Sequence, residues 1–354
     1  MSSERRGVIP HTVQAILTAE YADRYETVSA TDSRPYENNA RRLARRLPSL
    51  NGKVVLEICA GTGNSSIVLL EERPEIEQLI TVDANSRFME IAAYKFGSVD
   101  KVTNGFSEQS IEYRGEMKYR AAQLGKKPGL VLGRADGGLL PIKSNSADVI
   151  FGASAMHWLA FEQAEVSDTS YLSGALDDFK RVLSRGGLLA FDVSGLQFDF
   201  EDETLGGRHL NSYHMTGHPF HLAFLENVFD ITRQRGFRPP EFVDFGSFDR
   251  YYHIFSSGHL LRLAEEFGFE IIPDTGKPYG LSMELLPANI LIERVRDGAR
   301  MRCFNNPELQ NLTEQQKVDI INSAFDRTMR ESAGLLSQES AEMQITFIFE
   351  LRRK

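Results

Sequence analysis

The chain has 354 residues, 42% hydrophobic and 25% charged, with 28 Gly and 13 Pro, the composition of a globular protein long enough for one large domain or two ordinary ones. Its formal net charge of −9 argues against nucleic acid as a partner, because phosphate contacts need clustered Lys and Arg. The two cysteines, Cys59 and Cys303, the lack of an apolar stretch after Arg5-Arg6, and the absence of any run near ~20 apolar residues point away from a disulfide framework, a signal peptide and a membrane span, and toward a reduced, cytoplasmic protein.

Helical patterns occupy His11–Tyr25 and Glu37–Leu47. The dense basic run Arg41–Arg46 reads as a solvated helix face. Pro48 and Asn51-Gly52 mark a boundary, after which strands and helices alternate. Lys53–Cys59 reads as a strand, Ser65–Glu72 as a helix, Gln78–Val82 as a strand and Ser86–Phe96 as a helix, with Phe88, Ile91, Ala92 and Lys95-Phe96 at helical spacing. Glu108–Leu124 follows as a helix and Leu130–Leu132 as a strand. Asp148–Ala153 is an apolar run fitting a strand buried on both faces. Leu172–Leu183 is a helix closed by Arg185-Gly186-Gly187, and Leu188–Val193 is the fifth strand. Beyond residue 195 lies an aromatic- and histidine-rich stretch to 258. Then come a helix at His259–Phe267, a strand at Phe269–Ile272, helices at Leu285–Val295 and Thr313–Ser332, and a final alternating strand at Met343–Leu351.

The segment Val54 to Asn64 carries the most chemistry. A strand runs through Glu57, Ile58 and Cys59 into Ala60-Gly61-Thr62-Gly63, then into a helix. Glycines allow unusual backbone angles and close approach of a ligand, and a helix N-terminus favours an anionic group. Asp83 ends the second strand, twenty residues after Gly63. A carboxylate there can accept hydrogen bonds from two ribose hydroxyls. A third element, Ala135-Asp136-Gly137-Gly138-Leu139-Leu140-Pro141, precedes the fourth strand. The loop alone also suits a nicotinamide enzyme, but that class needs neither an acid at Glu57 nor the Asp136 segment.

In this order and spacing the sequence resembles the class I S-adenosylmethionine (SAM)-dependent methyltransferases, especially the ubiquinone/menaquinone-type and small-molecule branch. Met156-His157-Trp158 is similar to that family's stretch after strand four, and Phe179 to Gly187 to its helix and Gly-Gly turn before strand five. Cys59 departs from the pattern, standing where the family has its first glycine. The resemblance covers residues 53–193. It implies an α/β fold, a doubly wound, mostly parallel seven-stranded sheet with the last strand antiparallel, and a helical substrate lid. It divides the chain into an N-terminal helical segment closing over the cofactor (1–50), a SAM-binding core (51–195), a lid insertion (196–258), and late strands with a second helical insertion (259–354).

Under this resemblance the cofactor is SAM, its product S-adenosylhomocysteine. Gly61 and Gly63 let the loop pass under the methionine portion, and Glu57 holds the loop or the ammonium through water. Asp83 takes the ribose, Ala84 and Asn85 flank the adenine, and Asp136 with Gly137 meets the adenine amine. Ser154 touches the carboxylate end, and Tyr21 and Tyr25 close over the cofactor or pack the core. His157, where the methyl group is expected, is a general base or a packed pocket residue. His209, His214, His218 and His221 form a dense group. Gly217 and Pro219 interrupt a shared helix face, and no Cys or nearby carboxylate completes a ligand set, so no metal is expected. His214 is the second candidate base.

Aromatic residues from Phe220 to Phe255 suggest a small, apolar or aromatic, natural-product-like acceptor, or else they pack the lid. A non-methylating SAM-fold enzyme (cyclisation or decarboxylation) and a non-catalytic SAM-binding protein are the alternatives. A protein or RNA methyltransferase lacks support, because the stretch after strand four reads Ala153-Ser154-Ala155-Met156 and no basic groove is evident. A homodimer stays open.

Overall fold

A computed structural model describes most of residues 34–194, scattered positions from 19 to 29, and residues 219–237, 257–273, 280–286, 312–336 and 342–354; within the first span, 100–107, 125–128, 136–138, 157–158 and 160–169 are not described. The chain divides into two compact units, one of residues 1–194, 253–281 and 346–354, the other of residues 195–252 and 282–345.

The first unit is built on a sheet. Its strands are β1 (Val54–Glu57), β2 (Gln78–Asp83), β3 (Gly129–Arg134), β4 (Ala147–Gly152), β5 (Leu183–Ser194), β6 (Phe269–Ile271) and β8 (Glu342–Arg353), in the spatial order β3-β2-β1-β4-β5-β8-β6. An eighth strand, β7 (Gly280–Leu286), pairs with β8 off this row; residues 282–286 of β7 and 342–345 of β8 belong to the second unit. β1 to β5 are parallel, and β8 runs antiparallel to both β5 and β6. This is the mostly parallel, doubly wound sheet expected from the alternation of apolar runs and helical patterns. Chain order reverses at β1, which lies between β2 and β4. In open α/β sheets such a reversal opens a crevice at the carboxyl ends of the strands.

The inner strands are apolar because both faces are covered. Val55, Leu79, Val149, Phe151, Leu188 and Ala190 share one core with Val68, Leu69 and Leu70 of the helix Asn64–Glu72 and with Ala40, Leu43, Ala44 and Leu47. Ala40, Leu43 and Ala44 are the buried stripe of the helix Arg34–Arg46, and Leu47 follows it directly. The arginines of that helix do more than face solvent. Arg45 pairs with Glu72 at 2.7 Å, Arg41 with Glu72 at 3.2 Å and Arg46 with Glu350 at 2.7 Å.

In the second unit, the helices Pro219–Gln234 and Glu314–Ser332 share an apolar core of Phe220, Phe224, Val228, Ile231, Ile320, Ile321 and Ala324. Phe325 meets the ring edges of Phe220 and Phe224. These aromatics therefore pack the helix pair. Pro219, expected to break a helix, begins one, as its missing N–H allows at a first helical position. Thr313 caps the second helix through a reciprocal capping box with Gln316.

A helix expected over Leu285–Val295 is contradicted at its start, where Leu285 and Leu286 end β7. Leu281, Met283 and Leu285 alternate with Ser282 and Glu284, a period of two that pairing with β8 selects over the helical reading. β5 begins at Leu183 rather than Leu188, with a register irregularity against Ala147–Val149 that absorbs the Gly-Gly turn. Among the described residues no helix is long and apolar enough to cross a membrane.

Candidate functional site

The carboxyl ends of β1 and β2 meet through the loop between β1 and its helix. Ile58 N–H donates to Phe151 O at 3.0 Å and Ala60 N–H to Val82 O at 3.2 Å, which lays the loop across the ends of the neighbouring strands. The chain then turns through left-handed backbone at Cys59 (φ 50°), Gly61 (φ 55°) and Gly63 (φ 83°). At Gly63 a Cβ would stand 3.0 Å from Ala92 Cβ and 3.4 Å from Phe96 Cε2, so this glycine lets the loop press onto the next helix. At Gly61 a Cβ would meet, among the described residues, only Tyr25 Cε1, at 3.9 Å, so they leave the backbone there approachable.

Glu57 is fully buried at the end of β1. It accepts from Ser65 Oγ at 2.6 Å, from Ser66 Oγ and from Thr81 Oγ1 at 3.2 Å. The carboxyl thus braces the first turn of the helix Asn64–Glu72. Burial pushes its pKa up to about 7, the three hydroxyls pull it down, and the neighbouring Asp83 raises it further.

Asp83 ends β2. Its Oδ2 accepts from Gly61 N–H at 2.9 Å and its Oδ1 from Asn85 N–H at 2.8 Å. Asn85 Oδ1 in turn caps the helix Ser86–Lys95 through Arg87 N–H at 2.9 Å and Phe88 N–H at 3.4 Å. Desolvation raises the Asp83 pKa to about 6 against those amide bonds. Ala84 O accepts from Arg134 Nε at 3.0 Å, and Ala135 N–H donates to Asp83 O at 3.0 Å. The chain leaving β3 therefore passes beside the backbone of Asp83 and Ala84. Asp136 and Gly137, next in sequence, lie outside the described residues, as do Tyr21, His157 and His214.

The ends of β4 and β5 form a second constellation. Ser154 has left-handed backbone (φ 50°). Its N–H donates to Asp192 Oδ1 at 2.6 Å and its Oγ to Asp192 Oδ2 at 3.4 Å. Asp192 is fully buried, and desolvation pushes its pKa to about 7. Tyr25 belongs to an N-terminal helical stretch in which Ala22, Asp23, Tyr25, Glu26 and Ser29 are described, and it packs edge-on against Phe88 with ring centroids 5.2 Å apart.

The structure thus brings Glu57, Gly61, Gly63, Asp83, Ala84 and Tyr25 around one loop, and gives Ser154 a carboxylate partner. Asp192 was not among the residues anticipated from sequence, although an acid inside the apolar run Leu188–Val193 is a visible signal. Among the described residues no group of His, Cys, Asp and Glu is placed to hold a metal ion.

Residues 102–191 match the family described as a methyltransferase domain, about a quarter of the chain. The matched segment starts after the loop and Asp83, so those features stand independently of it. No curated protein matches the chain significantly. Similar solved structures include the YcgJ protein of Bacillus subtilis (13% identity, TM-score 0.45, 90% of this chain and 99% of that one). Another is the phosphoethanolamine N-methyltransferase 2 of Haemonchus contortus in complex with SAM (13%, 0.44, 98% and 61%). A third is the [4+2]-cyclase SpnF (15%, 0.40, 90% and 81%).

Proposed function

We propose, from the match of residues 102–191 to a methyltransferase-domain family together with the loop and Asp83 that precede it, that the chain is a class I SAM-dependent methyltransferase that moves the methyl group of SAM to an O, N or C atom of a small, apolar or aromatic molecule, releasing S-adenosylhomocysteine. The observation that carries the reading is Asp83. Its carboxylate accepts from the backbone N–H groups of Gly61, Asn85 and Ala84, which fix it at the end of β2. Held there, it remains an acceptor that suits a ribose hydroxyl.

The surrounding residues fit the same cofactor. SAM is cationic at sulfur and nitrogen, and the site offers carboxyls at Glu57 and Asp83 whose burial without a full counter-charge raises their pKa values. A cation nearby favours their ionised forms. The approachable backbone at Gly61 suits close contact with the methionine portion.

When bound, SAM supplies an electrophilic methyl group for in-line displacement. The protein's task is to align the acceptor and exclude water. Asp83 holds the ribose and Glu57 keeps the loop rigid. Asp192 fixes the turn at Ser154, three residues before His157. His157 and His214 are the proposed general bases for an acceptor that must lose a proton. Asp136 and Gly137 are assigned to the adenine, with Ala84 beside it, and Tyr21 and Tyr25 to the cover. The aromatic residues between Phe242 and Phe255, in a chain of net charge −9, support an apolar rather than a polyanionic acceptor.

Calorimetry on the full chain tests this reading. SAM and S-adenosylhomocysteine are expected to bind the wild type, and Asp83→Ala to weaken binding by ~1.5–3 kcal/mol, the cost of unpairing hydrogen bonds to a charged group. Absence of binding to folded wild type sinks the assignment. Release of S-adenosylhomocysteine with an acceptor separates methyl transfer from cyclisation or decarboxylation on the same fold.

A further inference from the structure

Lys95 ends the helix Ser86–Lys95 with its side chain fully buried. Burying an ammonium costs several kcal/mol unless its partners are well placed. Its Nζ donates to Asn64 Oδ1 at 2.7 Å and to Thr62 Oγ1 at 3.1 Å, pairs with Glu26 Oε1 at 2.7 Å, and lies 5.4 Å from the centre of the Tyr113 ring. Thr62 and Asn64 flank Gly63, the left-handed residue that starts the helix after the loop. Glu26 comes from the N-terminal helical stretch and is also fully buried, and its Oε2 has no hydrogen-bond partner among the described residues. The same stretch reaches the other end of the helix Ser86–Lys95 through Asp23, which pairs with Arg87 at 2.9 Å. Ala22 and Tyr25 pack with Ala60, Phe88 and Ile91 between these two ion pairs.

One cation therefore serves two segments. If the N-terminal stretch leaves, Lys95 keeps its loop partners but loses its counter-ion. If the loop rearranges, Lys95 keeps Glu26 but loses two of its three acceptors. The first event strands a buried charge and the second leaves a buried ammonium short of acceptors, so neither segment is expected to move without cost to the other.

We propose that Lys95 is a positioning residue for the loop Gly61–Asn64, and that Glu26 makes this positioning depend on docking of the N-terminal stretch, so that cofactor affinity is set partly from outside the α/β core. The inference rests on the cofactor reading of the loop. Lys95 itself touches no reacting atom.

The test uses the full chain, with S-adenosylhomocysteine affinity by calorimetry and amide hydrogen exchange in the unliganded protein. Lys95→Met is expected to weaken binding at least tenfold and to speed exchange both at residues 60–64 and at residues 22–29. Glu26→Gln leaves a buried cation uncompensated and lowers thermal stability. Glu26→Gln with Lys95→Met restores a neutral interior and recovers stability, but the loop stays unheld and the affinity stays low. Thr62→Val strands no charge, so it decides the matter if Lys95→Met does not fold; it is expected to speed exchange at residues 22–29, a segment it does not belong to. Unchanged exchange there in Thr62→Val, or full recovery of affinity in the double variant, overturns the proposal. If wild type binds no S-adenosylhomocysteine, the cofactor reading fails, and the exchange response of Thr62→Val still upholds or overturns the coupling.

Discussion

The carboxyl edge of the sheet and the helix pair of the second unit are both well buried, but they are held by opposite means. Between Pro219–Gln234 and Glu314–Ser332 the buried contacts among the described residues are mainly Phe, Ile, Val and Ala, with Asn227 Nδ2 donating to Thr328 Oγ1 at 2.9 Å, while Arg235 donating to Ser323 Oγ at 3.1 Å and Arg327 facing Asp230 at 3.9 Å lie at the more exposed flank. Around the loop, Glu57, Asp83, Glu26 and Lys95, and at the ends of β4 and β5 Asp192, put ionisable groups into places where apolar residues cost less. A fold does not need this for stability. The raised pKa values of Glu57, Asp83 and Asp192, where a parallel sheet opens its crevice, are what the proposed cofactor site rests on.

Four measurements break or sharpen that contrast. Phe224→Ala is expected to cost ~3–5 kcal/mol, as large-to-small changes at packed aromatics do, and the loss should be the same at pH 5 and pH 8. A strongly pH-dependent loss in denaturant midpoints would show that the helix pair is not the apolar region described here.

The carboxyl edge should behave in the opposite way. Asp192 has its folded pKa raised from 3.8 to about 7. The unfolded chain loses the proton first, so the stability this group contributes is present below about pH 4 and is lost as pH rises to about 7. A shift of that size corresponds to a loss on the order of 4 kcal/mol. Asp192→Asn keeps an oxygen for the Ser154 N–H and should remove this group's share of the slope. Denaturation of wild type and variant from pH 4.5 to 8 checks it, and parallel curves would refute it.

Cofactor affinity should run the other way with pH. Because the free protein holds Asp83 near pKa 6, binding of S-adenosylhomocysteine should weaken below about pH 6, by up to ~1.4 kcal/mol per pH unit if the ionised form is required. Calorimetry at pH 5, 6 and 7.5 reads this, and a flat profile removes Asp83 ionisation from the binding step. The smallest effect is local. Cys59 stands in left-handed backbone where glycine is relaxed, so Cys59→Gly should stabilise the protein by ~0.5–1 kcal/mol. A fall in melting temperature would show that the Cys59 side chain contributes more than the strain it carries.

Much of the loop was legible before any coordinates. Glycines at 61 and 63, an acid before them and another twenty residues on imply strand, turn and ligand, because few residue types tolerate those backbone angles or tasks. The partners of these residues were less legible. The sequence places Glu57 as a holder of the loop or of a ligand ammonium, while its bonds to Ser65, Ser66 and Thr81 have it bracing the next helix and β2. Lys95 sits on the apolar stripe of its helix with Phe88, Ile91 and Ala92, a misplaced charge that flags itself in the sequence, yet its counter-ion lies 69 positions earlier.

What the sequence by itself determined is local: the βα alternation, the turn glycines, and the acids ending β1 and β2. Each follows from the conformational limits of a few neighbouring residues. What only the tertiary structure decided is non-local. It set the order β3-β2-β1-β4-β5-β8-β6, the choice of strand over helix at Leu285-Leu286, the pairing of Asp192 with Ser154, and the meeting of Glu26 with Lys95. The physical reason is burial: a charge or a short apolar run takes its partner from whatever the packed chain places beside it, and that neighbour is not written in the adjacent sequence.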